Sequence, residues 1–91
     1  MDIFQQRLLK SALKSLKENG TRGLSRRTLA QLMEIYLDTM LTSAQVNWTV
    51  EHMLEKRYAR SWFDRITNEE RFCATDYGND TESTLLPSVA G

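Results

Sequence analysis

Apolar residues recur at three- and four-residue steps through the first half of the chain. The first such stripe lies within residues 2–18 and predicts an amphipathic helix with one buried face. Asn19 and Gly20 follow it, and both residue types tolerate the left-handed backbone that ends a helix. The residues of this stripe are Phe4, Leu8, Leu9, Ala12, Leu13 and Leu16.

Two further stripes predict a second and a third helix. After a short linker, in which Leu24 can make a strand-like contact, Ser25 is a suitable N-cap for a helix that runs to about Asp38. Thr42 or Ser43 can cap the third helix in the same way. The expected buried positions are Leu29, Leu32, Met33, Tyr36, Leu37, Met40 and Leu41, followed by Val46, Val50, Met53, Leu54 and Ala59.

The segment after Tyr58 has two interpretations. Its aromatic and β-branched residues favour two strands, over residues 60–66 and 71–76, joined by a turn over residues 67–70. The alternative is one long third helix, since Trp62, Phe63 and Ile66 can continue the helical period. Thr67 and Glu70 also match a capping box, which favours a helix start. We favour the hairpin.

These elements predict one compact, mainly α domain over residues 1–77, with a three-helix core and a C-terminal β-hairpin. The alternative fold is an all-α bundle with the long third helix. A chain of 91 residues has room for one core. Residues 78–91 are mostly small and polar, so we expect a disordered tail that buries too little surface to offset its ordering entropy.

The charge is balanced overall but uneven along the chain. Twelve Lys and Arg face twelve Asp and Glu. Residues 1–27 hold seven basic and two acidic side chains, a net charge of +5, and the remainder is therefore −5. The basic third can contact a polyanion or an acidic partner, or it can pair with the acidic part within the fold.

The sequence lacks the residues that several classes of function require. Cys73 is the single cysteine and His52 the single histidine, so neither an intramolecular disulfide nor a zinc site can form from them. There is no phosphate-binding glycine loop and no nucleophile beside a base, so we expect neither an enzyme nor a cofactor. Without a signal peptide or an apolar run of about 20 residues, we expect a cytoplasmic protein that does not enter a membrane.

The second and third predicted helices, separated by a short break, have the arrangement of a helix-turn-helix. The third helix begins with polar residues whose side chains can meet base edges, namely Gln45, Asn47 and Thr49. Thr42 and Ser43 would lie at the helix N-terminus, where backbone amides attract phosphate.

Residues 3–77 resemble a winged helix-turn-helix domain. The resemblance lies in the order of a first helix, the Leu24–Met33 helix start, the candidate recognition helix and two strands. The resemblance implies a small DNA-binding transcription regulator, of a kind often found in phages or plasmids. It implies that Arg26 and Arg27 approach the DNA backbone and that Gln45, Asn47 and Thr49 approach the base edges. Arg65 or Arg71 would make the wing contact. The sequence departs from this pattern in its acidic side chains, which phosphates would repel: Glu51, Asp64, Glu69 and Glu70.

Two other functions compete with duplex DNA binding. The chain can be a protein–protein interaction module, an inhibitor or adaptor, in which Trp48 and Trp62 provide the interface, because interface hot spots favour Trp. It can also be a structural homodimer. A homodimer is equally compatible with DNA binding, since paired helix-turn-helix units contact spaced half-sites.

Overall fold

The computed structural model describes residues 1–85, which form four α-helices and a small three-stranded antiparallel sheet. This part of the chain is mainly helical, as the sequence predicts. The elements follow in the order α1 (Ile3–Asn19), β1 (Leu24–Ser25), α2 (Arg26–Leu37), α3 (Ser43–Glu55), β2 (Ala59–Asp64), β3 (Glu69–Ala74) and α4 (Asp76–Thr84).

The first three helices begin and end at residues that satisfy their free backbone groups. Asp2 caps α1, accepting from the amide of Gln5, and α1 ends at Gly20, whose positive φ of 58° favours glycine. Ser25 caps α2, and Asp38 ends it in the left-handed conformation. The three predicted helices are therefore confirmed, with bounds close to those expected.

The strands after α3 form a hairpin, so the prediction of two strands is confirmed and the alternative of one long third helix is wrong. α3 ends at Glu55, and β2 pairs antiparallel with β3 from Ala59↔Ala74 to Asp64↔Glu69. The turn covers residues 65–68, two residues earlier than predicted. β3 also pairs with β1, through Leu24↔Phe72, so the sheet order is β1-β3-β2 and the linker contact expected for Leu24 is present.

One core joins the helices to the sheet. Phe72 on β3 is fully buried and packs in the same cluster as the apolar faces of α1, α2 and α3. The members of this cluster are Leu8, Leu9, Ala12, Leu13, Leu16, Leu24, Leu29, Met33, Val46, Val50, Met53, Ala59 and Phe72. Each helix contributes residues at the spacing from which it was predicted.

Helix α4 corrects the prediction that the chain is disordered from residue 78. Thr75 caps α4 by accepting from the amide of Gly78, and Gly78 is buried against the Tyr58 carbonyl. Lys10 on α1 donates to Glu82 on α4 at 2.9 Å. Leu85 packs against the core as well, whereas residues 86–91 of the predicted tail lie outside the described residues.

Candidate nucleic-acid interface

The N-termini of α2 and α3 lie on either side of one surface groove. Its volume is about 390 Å³, and both arginines of the first α2 turn contribute to its wall. Thr42 caps α3 on the opposite side, accepting from the Gln45 amide, while the Gln45 side chain accepts from the Thr42 amide. The lining residues are Arg26, Arg27, Ala30, Leu41, Thr42, Ser43, Val46 and Asn47.

A side-chain contact across this groove joins two of the predicted site residues. The guanidinium of Arg26 donates to the Asn47 Oδ1 at 2.8 Å, which links the first turn of α2 to the exposed face of α3. The Arg26 guanidinium also lies 5.4 Å from the centre of the Phe72 ring and 3.4 Å from a carboxylate oxygen of Glu70. The arginine is thus held over the end of the core, with Asn47 as its neighbour.

The structure brings together five of the eight residues predicted to contact DNA: Arg26, Arg27, Thr42, Ser43 and Asn47. Gln45 is half-buried, and its side-chain oxygen is occupied by the helix cap. Arg65 is exposed in the hairpin turn and does not line the groove.

Thr49 is a correction, because it is fully buried and cannot meet a base edge. It belongs to the inward stripe of α3, three residues after Val46, and its hydroxyl donates to the Gln45 carbonyl at 2.8 Å. A threonine hydroxyl satisfied by its own helix can be buried at little cost, so its polarity did not indicate exposure.

Acidic residues limit the basic part of this surface. Beyond Asn47, the exposed positions of α3 include Glu51 and Glu55. Glu70, on the central strand, already pairs with Arg26. The cationic side chains of the groove are therefore confined to the first turn of α2. Sequence reasoning missed the pairing of Glu70 with Arg26, because no local pattern connects residues 44 positions apart.

Arg71, the alternative wing contact, is engaged within the fold. Its guanidinium donates to the carbonyls of Arg22 and Gly23, at 3.2 and 3.0 Å, and to Glu69 at 3.0 Å. These contacts fasten the linker before β1 to the hairpin. The other two hairpin arginines, Arg60 and Arg65, are exposed and make no such hydrogen bond with the described residues.

The two tryptophans lie in different surroundings. Trp62 is half-buried under the Arg60 guanidinium, 5.1 Å from its ring centre, and beside Gly23. Trp48, on α3, is half-buried. It lies beside Phe4 and Leu8 of α1.

Trp48 also begins a row of aromatic rings. Its ring stacks on His52 with centres 5.0 Å apart, and the row continues to Tyr58 at 6.2 Å and Tyr77 at a further 5.2 Å. Burial lowers the pKa of His52, chiefly because desolvation disfavours its charged form.

Comparison of the chain with protein-family models, with curated protein sequences and with solved structures gave no match.

Two properties of residues 1–85 bear on other functions. None of their helices combines the length and apolar character required to cross a bilayer. In the same range, no three or more His, Cys, Asp or Glu side chains are grouped so that they could hold a metal ion. The Cys73 thiol is buried.

Proposed function

We propose that the protein binds duplex DNA as a winged helix-turn-helix regulator, with the N-terminal half of α3 as its reading element. The observation that carries the proposal is the groove in which Arg26 and Arg27 lie beside the exposed Asn47. The element order supports it as well. A hairpin follows α3, where the resemblance expects the two wing strands, and it forms one sheet with the short strand between α1 and α2.

The chemistry of the groove suits a phosphate backbone beside a base edge. Backbone amides at the starts of α2 and α3 carry partial positive charge, and the two arginines add full charges next to them. An Asn side chain can bond the edge of adenine in the major groove. Because Arg26 holds the Asn47 carbonyl oxygen, the Asn47 amide nitrogen is oriented before DNA arrives.

The acidic residues near the groove limit the affinity for DNA that we expect. If Arg27 neutralises one phosphate, it contributes about −0.9 to the salt slope, d log K/d log [salt]. Arg26 already pairs with Glu70, so we expect it to contribute less. Glu51 and Glu55 lie on the same helix and would repel phosphates placed further along it. We therefore expect modest affinity for arbitrary sequences, with contacts concentrated at the first turns of α2 and α3.

The test is binding of fluorescent duplexes measured by anisotropy, from about 20 to about 200 mM salt. Arg27→Ala should weaken binding to every duplex and reduce the salt slope by about 0.9. Lys17→Ala, which removes the same charge from the last turn of α1, should leave both unchanged. Asn47→Ala should mainly reduce discrimination between duplexes selected from a random pool. Absence of binding at the lowest salt would end the proposal.

A protein partner is the second candidate function, in which the chain acts as an inhibitor or adaptor. The specific observation is the hairpin, where Phe63 is 59% and Ile66 95% exposed although both are large and apolar. If this function applies, a folded Trp48→Ala or Phe63→Ser variant should lose a partner that the parent chain recovers in a pull-down. The DNA titration separates the two candidates, since a protein-binding module has no salt-dependent affinity for duplexes.

A further inference from the structure

Strand β2 lies at an open edge of the sheet. Within residues 1–85, the strand order β1-β3-β2 leaves one side of β2 without a neighbouring strand. The Thr75 amide donates to the Tyr58 carbonyl at 3.0 Å, just before the first pair of the β2–β3 ladder. Because hydrogen-bonded and non-bonded pairs alternate in an antiparallel ladder, the β2 residues whose backbone groups face outward are Ala59, Ser61 and Phe63.

The side chains along this edge are complementary to themselves. Arg60 and Asp64 carry opposite charges and lie two residues before and two residues after Trp62. Side chains alternate along a strand, so all three share one face of β2. The Ile66 amide donates to Asp64 at 2.9 Å and lowers the pKa of Asp64, so this carboxylate stays ionised at neutral pH. The exposed Phe63 lies on the opposite face.

We propose that β2 pairs with β2 of a second copy of this chain, antiparallel and centred on Trp62. In that register Arg60 lies opposite Asp64 of the other copy, twice by symmetry. The two Trp62 backbones flank the two-fold axis, and each indole keeps its packing beside Gly23 of its own chain. Ser61 and Phe63 become hydrogen-bonded partners, which gives four backbone bonds across the axis. The pairing extends the sheet from three strands to six.

Neighbouring registers are poorer. A centre at Ser61 places Asp64 opposite Tyr58, so Asp64 gains no charged partner beyond Arg71 of its own chain, 4.0 Å away. A centre at Phe63 places Asp64 opposite Trp62 and leaves the Arg60 charge unpaired. In a register centred between two residues, each residue whose backbone groups face outward would lie opposite one whose backbone groups face its own hairpin. Such a register forms no hydrogen-bonded ladder. The Trp62 centre is the register that satisfies the backbone and both charges.

The same charges explain why other strands would pair poorly with this edge. A charged residue on an edge strand opposes pairing with a strand that lacks the opposite charge in register. Arg60 and Asp64 therefore disfavour pairing of β2 with most other strands and favour pairing with β2 of a second copy. The contact comprises one short strand per copy, so the dimer is expected to form in the micromolar to millimolar range rather than below it.

Sedimentation velocity of the full chain without DNA tests the proposal, from about 10 µM to about 1 mM. The parent chain should shift from monomer to dimer over this range. Ser61→Pro removes an outward amide that bonds nothing within the hairpin, and proline is tolerated at such edge positions. This variant should remain monomeric, whereas Ser61→Ala, which keeps the amide, should dimerise like the parent.

Charge exchange tests the register independently of proline. Arg60→Glu places two like-charged pairs across the axis and should weaken dimerisation about tenfold. Adding Asp64→Lys to Arg60→Glu restores opposite charges and should recover most of the loss. Arg65→Glu, in the hairpin turn, is the matched control and should leave dimerisation unchanged. Circular dichroism and thermal melts verify that each variant is folded.

A parent chain that stays monomeric to about 1 mM would overturn the proposal. So would a dimer that persists in both Ser61→Pro and Arg60→Glu, because it would use another surface. These outcomes are independent of the DNA titration, since the dimer is measured without DNA.

Discussion

Replacing Gly78 by alanine tests whether α4 is docked as described. A Cβ at this position would lie 1.8 Å from the Tyr58 carbonyl oxygen and 2.7 Å from its carbonyl carbon. Ordinary contact begins at 3.4 Å, so the helix or the Tyr58 peptide must move by about 1.6 Å. The same oxygen accepts from the amide and the hydroxyl of Thr75, at 3.0 and 3.1 Å, so the movement disrupts the cap of α4.

The expected change in the free energy of unfolding on Gly78→Ala is the sum of three contributions. Alanine is favoured over glycine in a helix by about 1 kcal/mol. Crowding against backbone costs about 1–3 kcal/mol, and loss of one of the two Thr75 hydrogen bonds costs about 0.5–1.5 kcal/mol. The sum is a destabilisation of about 2 kcal/mol. For a domain of this size that corresponds to a decrease in Tm of about 8–16 °C.

Thermal and urea unfolding followed by circular dichroism measure this change. Ser83→Ala is the matched control, because Ser83 is exposed on the same helix and its replacement should change stability by less than about 0.5 kcal/mol. The reasoning is refuted if Gly78→Ala is as stable as the parent or more stable. Such a result would mean that the helix gains its alanine without meeting Tyr58, and hence that α4 does not pack there.

Three further predictions concern buried or half-buried polar groups. Thr49→Val should change stability by less than about 1 kcal/mol and leave DNA affinity unaltered, because within residues 1–85 the Thr49 hydroxyl bonds only the Gln45 carbonyl. A folded variant with much weaker binding in the anisotropy titration would contradict the burial of Thr49. Because the pKa of His52 is lowered in the folded protein, the unfolded chain binds a proton at this histidine at higher pH than the folded chain does. The free energy of unfolding should therefore fall as the pH decreases through about 6.5. His52→Gln should reduce the difference in Tm between about pH 7.5 and 5.5. Lys10→Met should lower the free energy of unfolding in urea by about 1–2 kcal/mol, because Glu82 loses the Lys10 ammonium that lies 2.9 Å away. A double-mutant cycle with Glu82→Gln that shows no coupling energy would refute this contribution of the Lys10–Glu82 pair.

The sequence predicts the elements that depend on local pattern. Stripes at helical spacing located α1, α2 and α3, and the capping residues Asp2, Ser25 and Thr42 lie at their starts. The aromatic and β-branched residues after Tyr58 indicated the hairpin, although its turn lies two residues earlier than expected.

Helix α4 could not be predicted from the same signals, because its stability depends on distant residues. Its sequence is polar, and glycine lowers helix propensity. What holds it is the close approach of Gly78 to Tyr58 and the pairing of Lys10 with Glu82, 72 residues apart. The burial of Thr49 and the pairing of Arg26 with Glu70 are likewise products of tertiary packing.

The Arg71 contacts have a mechanical consequence. One guanidinium binds the carbonyls of Arg22 and Gly23 directly ahead of α2, while its own strand forms half of the hairpin. A force applied to the hairpin is therefore transmitted to the residues that set the direction of the α2 axis, and with it the position of Arg26. Any ligand or second copy that tilts the hairpin will reorient the groove between α2 and α3.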